Sequence, residues 1–307
     1  MLSNFLSKSR PINYLIILLI LVIFFFIGVF SDANVKFDLF SFGKILMNIT
    51  ALFFMVLLIN FVVRKNTLTK DNSFSLFFVV MFFAMLPNTM KWSMIFLSNV
   101  FLLISLRRVF SLKNNVRTSI KIFDAGFWLG ISILFYNNLI LFWIVLLMGL
   151  VFYQRLNIKN VIISILGVII PIFLLYVYCL TFEQLHIFTQ FFDFQIDSSI
   201  VFYDNLSILI PITILVSLTI WSVISVTSGL HKISTKNRSS WFLLLTNLWI
   251  AALISFLKVD KNGGELIFLF FPTSVILANY FQKEKDKMFR NFILYLIFFV
   301  TVAIYFL

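Results

Sequence analysis

What most constrains this chain is where it puts its charge. Its apolar runs are long enough to read as membrane spans. With the spans set in order, the 24 Lys and Arg fall 19 to one side and 5 to the other, while the 12 acids divide 4 against 8. A soluble fold has no reason to sort charge by alternate loops. A multipass protein does, because Lys and Arg in short loops are held on the cytoplasmic side during insertion. The basic side includes Lys8 and Arg10, ahead of the first run, so the N-terminus is expected inside.

Composition agrees. The 307 residues are 62% hydrophobic, and a mean hydropathy of +1.06 lies far above that of a globular domain. The net charge of +12 sits in short loops between apolar spans. It therefore reads as a topology signal and an anionic-lipid contact, with no nucleic acid as partner. Cys179 is the single cysteine and lies inside an apolar run, so a disulfide framework or thiolate metal site is excluded. The run at 12–30 is longer than a signal-peptide core and is read as an uncleaved first span.

Eleven spans fit, at roughly residues 12–30, 43–63, 74–86, 92–106, 123–136, 139–153, 158–180, 206–230, 241–257, 266–281 and 292–307. The expected fold is an all-α, polytopic membrane helix bundle of about eleven transmembrane helices. It forms one integral domain over residues 1–307, with an external C-terminus. Spans three to six are short, each with about 13 to 16 apolar residues where crossing takes ~20. They are read as two hairpins, turning at Pro87–Lys91 and at Asn137-Asn138. Merging each pair into one helix would degrade the basic split to 14 against 9 and strand Lys91 in hydrocarbon. Short hairpins must be buried among longer helices or thin the bilayer locally, and an outward groove is expected there. Pro171, Pro211 and Pro272 fall inside spans, and Gly126–Gly130 is a GxxxG match read as a helix contact.

Chemistry is sparser. No nucleotide-binding motif occurs, no cofactor is implied, and no Asp, Glu, Lys or Arg sits at mid-span, which argues against an ion-coupled carrier. The outer loop 183–205 sets His186, Gln190, Asp193 and Asp197 on one helical stripe, with Leu185, Phe188, Phe191, Phe192 and Ile196 opposite. That is an interfacial amphipathic helix. Its wet stripe serves solvation, or else His186, Asp193 and Asp197 are weak candidates for a divalent cation. Asp32 and Asp38 in the first outer loop are ordinary loop acids or candidate catalytic carboxylates. Lys91 at a hairpin tip, expected recessed and partly desolvated, could meet a lipid phosphate. Lys258 and Lys261 precede a flexible Gly263-Gly264 turn and could close over the same opening.

The layout resembles the membrane module of the GT-C glycosyltransferases, which take sugars from polyprenyl-phosphate donors. Stretches such as RRVFSLKNN (107–115) and DAGFWLGISILFYNNLILFWIVLLMGL (124–150) carry that texture, and the likeness covers about residues 10–205. By it, residues 1–205 form a GT-C-like module and 206–307 add four spans. The Phe-, Ile-, Lys- and Asn-rich style also resembles an uncharacterised multipass family of Bacteroidota. One departure matters: the class carries a long first outer loop with an acidic pair, whereas Asp32 and Asp38 are not adjacent, so no catalytic residue is carried over. The resemblance implies a bacterial inner-membrane protein that handles polyprenyl-linked saccharide or lipid for envelope assembly, with membrane lipid as partner. The alternative is a non-enzymatic membrane subunit of an envelope or secretion complex, with membrane-protein partners.

Overall fold

A computed structural model describes residues 2–30, 39–190, 203, 205–228, 235–258 and 261–306, the side chains of 39–41, 187, 189, 190, 235 and 236 excepted. Among the described residues the fold is helical throughout. The helices are α1 (Leu2–Leu6), α2 (Pro11–Phe30), α3 (Leu39–Lys65), α4 (Phe74–Met85), α5 (Met94–Phe110), α6 (Thr118–Phe135) and α7 (Phe142–Phe152). They continue with α8 (Ile158–Thr181), α9 (Leu185–Gln190), α10 (Leu206–Thr227), α11 (Thr235–Phe256), α12 (Ile267–Lys283) and α13 (Lys287–Ile304). Nine segments among the described residues are long and apolar enough to cross a membrane. Two shorter apolar ones are α4 and Asn137–Phe152.

The expected breaks within the hairpins are present, but two of the four short spans are longer than the apolar count indicates. α5 runs on through Arg107 and Arg108 to give a 20-residue segment, Met94–Lys113, and α6 starts at Thr118 for 18 residues. The apolar count stops at the first charge, whereas a helix does not. The Arg108 guanidinium meets the Asp124 carboxylate at 2.9 Å, so each helix carries its charged turn against the other.

The chain divides into two compact units: residues 1–92, 202–232 and 262–307, and residues 93–201 and 233–261. In the first unit α4 is the hub. Its sequence, FSLFFVVMFFAM, has no polar face, and all twelve residues are buried. A helix apolar on every side must be enclosed by others, and α12, α2, α13 and α3 all pack on it. At 12 residues it spans about 18 Å, short of the ~30 Å hydrocarbon core. α12 is the second buried element. The two meet through rings: Phe83 to Phe270 at 4.9 Å and Phe78 to Phe281 at 5.0 Å, both edge to face, the arrangement the ring quadrupole favours.

The two ends of this unit differ in charge. At one, the segment before α2, the α3–α4 loop and the α12–α13 connection lie together. Ser9 Oγ donates to Asp71 at 2.5 Å, Arg64 pairs with Asp71 at 3.2 Å, and the Lys70 N–H donates to Gln282 Oε1 at 3.1 Å. This end gathers Lys8, Arg10, Arg64, Lys65, Lys70, Lys283, Lys285, Lys287 and Arg290. Lys44 and Lys91 are the described cations toward the other end. The charge sorting read from the loops is thus present within a folded unit.

In the second unit, glycines set the packing of α6 on α8. A Cβ at Gly126 would stand 2.7 Å from the Ser164 carbonyl oxygen, at Gly130 2.5 Å from that of Val168, and at Gly167 2.7 Å from that of Phe123. The obstacles are backbone, so only hydrogen fits. The GxxxG match is therefore a contact within the chain, completed by Gly167, which the motif did not include. α5 joins α6 through Ser105 Oγ to the Ala125 carbonyl at 2.7 Å and Ser132 Oγ to that of Ser98 at 2.8 Å. Such hydroxyl bonds and small-residue contacts replace the hydrophobic drive absent between helices in lipid. Pro171, Pro211 and Pro272 lie inside α8, α10 and α12, all buried.

Replacing Gly126 or Gly167 by Ala should force the helices apart and cost about 1–3 kcal/mol. Thermal unfolding in detergent should show a lowered midpoint for both. Gly43→Ala, whose Cβ meets nothing within 4 Å, should not lower it.

Candidate functional site

The hairpin after α4 turns because Pro87 cannot supply the N–H that would continue the helix. A 3₁₀ turn, Pro87–Met90, follows, with Thr89 and Met90 buried. Thr89 Oγ1 donates to the Leu86 carbonyl at 2.6 Å, and Asn48 Nδ2 from α3 donates to that of Met90 at 2.8 Å. Lys91 follows Thr89 and Met90 with an extended backbone. The side chain is exposed.

Lys91 stands between two depressions of the same unit. One, about 370 Å³, sets Lys91, Asn88, Ser207, Asn262 and Tyr305 among the apolar Leu86, Pro87, Ile208 and Ile304, with Gly28 and Gly263. The other, about 160 Å³, is mostly apolar, with Phe25, Val29, Ile45, Met90 and Trp92 around Asn48 and Lys91. Asn48 gives one amide hydrogen to Met90, and its Oδ1 is buried with no hydrogen-bond partner among the described residues. Trp92, 42% exposed, is the residue type that settles where hydrocarbon meets water. Lys91 thus lines both a mixed recess with several polar side chains and a more apolar cleft.

The far wall of the mixed recess is the loop before α12. The expectation of a flexible Gly-Gly turn gives way to a built one. Gly263 holds φ +83°, a conformation glycine takes at little cost. Its N–H donates to Glu265 Oε1 at 3.2 Å, the Gly264 N–H donates to Asn262 Oδ1 at 3.0 Å, and Asn88 Nδ2 donates to the Asn262 carbonyl at 2.8 Å. Glu265, fully buried, also accepts from the Tyr203 hydroxyl. Burial and the Glu265 charge push the Tyr203 phenol well above its ordinary value. Sequence reasoning placed Glu265 in an outer loop and passed over it. Its one signal was an acid immediately ahead of an apolar run.

The other candidates fare differently. Lys258, half-buried, and Lys261 belong to the second unit, where Lys261 Nζ lies 4.7 Å from the centre of the Phe256 ring. His186 is exposed on α9, which packs on α8 through Phe188 and Tyr176 at 5.0 Å. α9, Leu185–Gln190, is the described helical part of the loop expected to form the amphipathic helix; Asp193 and Asp197 lie outside the described residues, as do Asp32 and Asp38. Among the described residues, no three His, Cys, Asp or Glu side chains cluster for a metal.

One protein family matches this chain, over residues 1–307, a family of unknown function. The chain belongs to DUF6427. Neither the curated proteins nor the solved structures contain a match. What the site does must therefore be argued from its own geometry.

Tyr203→Phe removes a donor from an enclosed carboxylate and should cost about 1–3 kcal/mol. The pH dependence has a definite sign. The phenol's folded pKa is raised, so its contribution is complete below the unfolded value of about 10 and is lost as pH climbs toward the higher folded one. Unfolding midpoints should separate parent from variant at pH 8 and converge at strongly alkaline pH.

Proposed function

We propose that this is a bacterial inner-membrane protein with a cytoplasmic N-terminus and an external C-terminus. On this reading it handles a polyprenyl-linked saccharide or a related lipid phosphate in envelope assembly. One observation carries the reading: Lys91 lines both a recess that holds several polar side chains and a more apolar cleft. An amphiphile with an anionic head needs that order of surfaces. The ammonium meets the phosphate oxygens as a point charge. Asn88, Asn262 and Ser207 offer amide and hydroxyl groups to a polar head, and Phe25, Val29 and Ile45 offer an apolar wall to the chain. Asn48 Oδ1, buried without a hydrogen-bond partner, would accept from a ligand hydroxyl. The layout likeness to GT-C glycosyltransferases agrees in substrate class.

The alternative, a non-enzymatic membrane subunit, draws on Glu265. Among the described residues it is the acid nearest the recess in sequence, and it is committed to the turn. A carboxylate holding a loop is not placed to take a proton from a substrate.

Purified protein in neutral detergent should bind a short-chain polyprenyl phosphate, and Lys91→Ala should weaken that binding about tenfold, as expected for the loss of one charge-assisted contact. Unchanged binding in a folded variant, or none by the parent, would favour the subunit reading. Topology has its own check: reporter fusions after Asn66, Asn114 and Asn237 should read cytoplasmic, and one after Leu307 external. A cytoplasmic signal at Leu307 would break the assignment.

A further inference from the structure

The second unit carries a depression of about 620 Å³ lined by Lys113, Asn114, Asn115, Val116, Phe152, Tyr153, Gln154, Arg155 and Ser239. It lies where α5 and α7 end and where α6, α8 and α11 begin, and its lining contains no acid. Around it the same helix ends bring Arg107, Arg108, Arg117, Lys121, Lys159 and Arg238. Asp124 is the one described acid at those ends, already paired with Arg108 at 2.9 Å.

Retention of Lys and Arg during insertion explains why basic residues lie in these loops. That effect needs only charge. It does not need a concave surface at the helix ends. Here Arg155 is half-buried, and its Nε is enclosed with no hydrogen-bond partner among the described residues. A buried donor on a charged group without an acceptor is costly unless something else supplies one. The remaining lining is held in place. Lys113 Nζ donates to Asn237 Oδ1 at 2.8 Å, and Tyr153 shares a 2.9 Å bond with Ser240. Lys121 Nζ donates to the carbonyls of Ser111 at 2.8 Å and Asn114 at 3.0 Å, fixing the turn that presents Asn114 and Asn115.

We propose that this depression is an anion site for a phosphate group, with Arg155 and Lys113 as the charged contacts and the amides of Asn115 and Gln154 and the hydroxyl of Ser239 as neutral donors. A planar guanidinium and an ammonium point charge together suit a tetrahedral oxyanion better than either alone. The phosphate belongs to an anionic lipid headgroup at the membrane surface or to a free phosphate in solution. Either presents the same oxygens.

The test titrates full-length protein in neutral detergent with dihexanoyl phosphatidic acid and, separately, with inorganic phosphate, reading apparent affinity from the shift in unfolding midpoint. Arg155→Gln and Lys113→Gln should each weaken binding about tenfold. Lys159→Gln removes one charge from an exposed side chain outside the lining and should stay within about twofold. Lys91→Ala is carried in parallel, so that binding in the first unit is read separately. Arg155→Lys keeps the charge without the fork and should fall between parent and Arg155→Gln. If Arg155→Gln does not fold, Lys113→Gln carries the comparison. Binding of both probes marks a site for free phosphate, and binding of phosphatidic acid alone marks a lipid headgroup. Either supports the site. No binding by the parent, unchanged binding in both lining variants, or an equal fall in Lys159→Gln would overturn it.

Discussion

In hydrocarbon a backbone N–H or C=O has no water to bond, so every crossing segment must satisfy its own polar groups, and the helix is how a single segment does so. From this follows the arrangement of the first unit. α4 meets the rule for its backbone but is too short to cross and has no side that prefers water. It is stable only when wrapped. α2, α3, α12 and α13 wrap it, and edge-to-face rings of Phe83 with Phe270 and Phe78 with Phe281 lock it to α12. Because α4 ends early, the chain turns at Pro87, and the turn forms the floor beside which Lys91 stands. A longer α4 would carry Lys91 elsewhere and leave no recess. The candidate site is thus a consequence of a helix that stops short.

The second unit meets the same rule by a different device. With lipid as apolar as the side chains, helices gain little from hydrophobicity by pairing, and close approach must supply the attraction. Gly126, Gly130 and Gly167 let the backbones of α6 and α8 approach to where a methyl group would collide with carbonyl oxygens. Ser105 and Ser132 tie α5 to the other side of α6. These contacts gather the ends of five helices, each with its own basic residues. The resulting depression is where Arg155 keeps an unmatched donor.

Charged groups in the two units show how much context decides. Lys91 follows directly on the buried part of its turn, Thr89 and Met90, and is left uncovered by the rest of the unit. Glu265 looked like an exposed loop acid and is enclosed, because the Gly263 turn folds its own N–H onto the carboxylate while Tyr203 covers it. The first unit thus leaves a cation uncovered and withdraws an acid into its turn.

By itself the sequence determined that the chain is a helical membrane protein and roughly where its helices lie. Those properties are local: a run of apolar residues partitions by its own composition, and each short loop is retained by its own Lys and Arg. It also placed the GxxxG contact and the internal prolines. Tertiary structure decided the rest. That α4 is the hub, that Gly167 completes the glycine contact, that Glu265 is buried and that Arg155 lines an open depression all depend on segments far apart in the chain. No window of the sequence contains both partners of those contacts. Shape and burial arise only when the helices pack, so the site stayed illegible where the topology was plain.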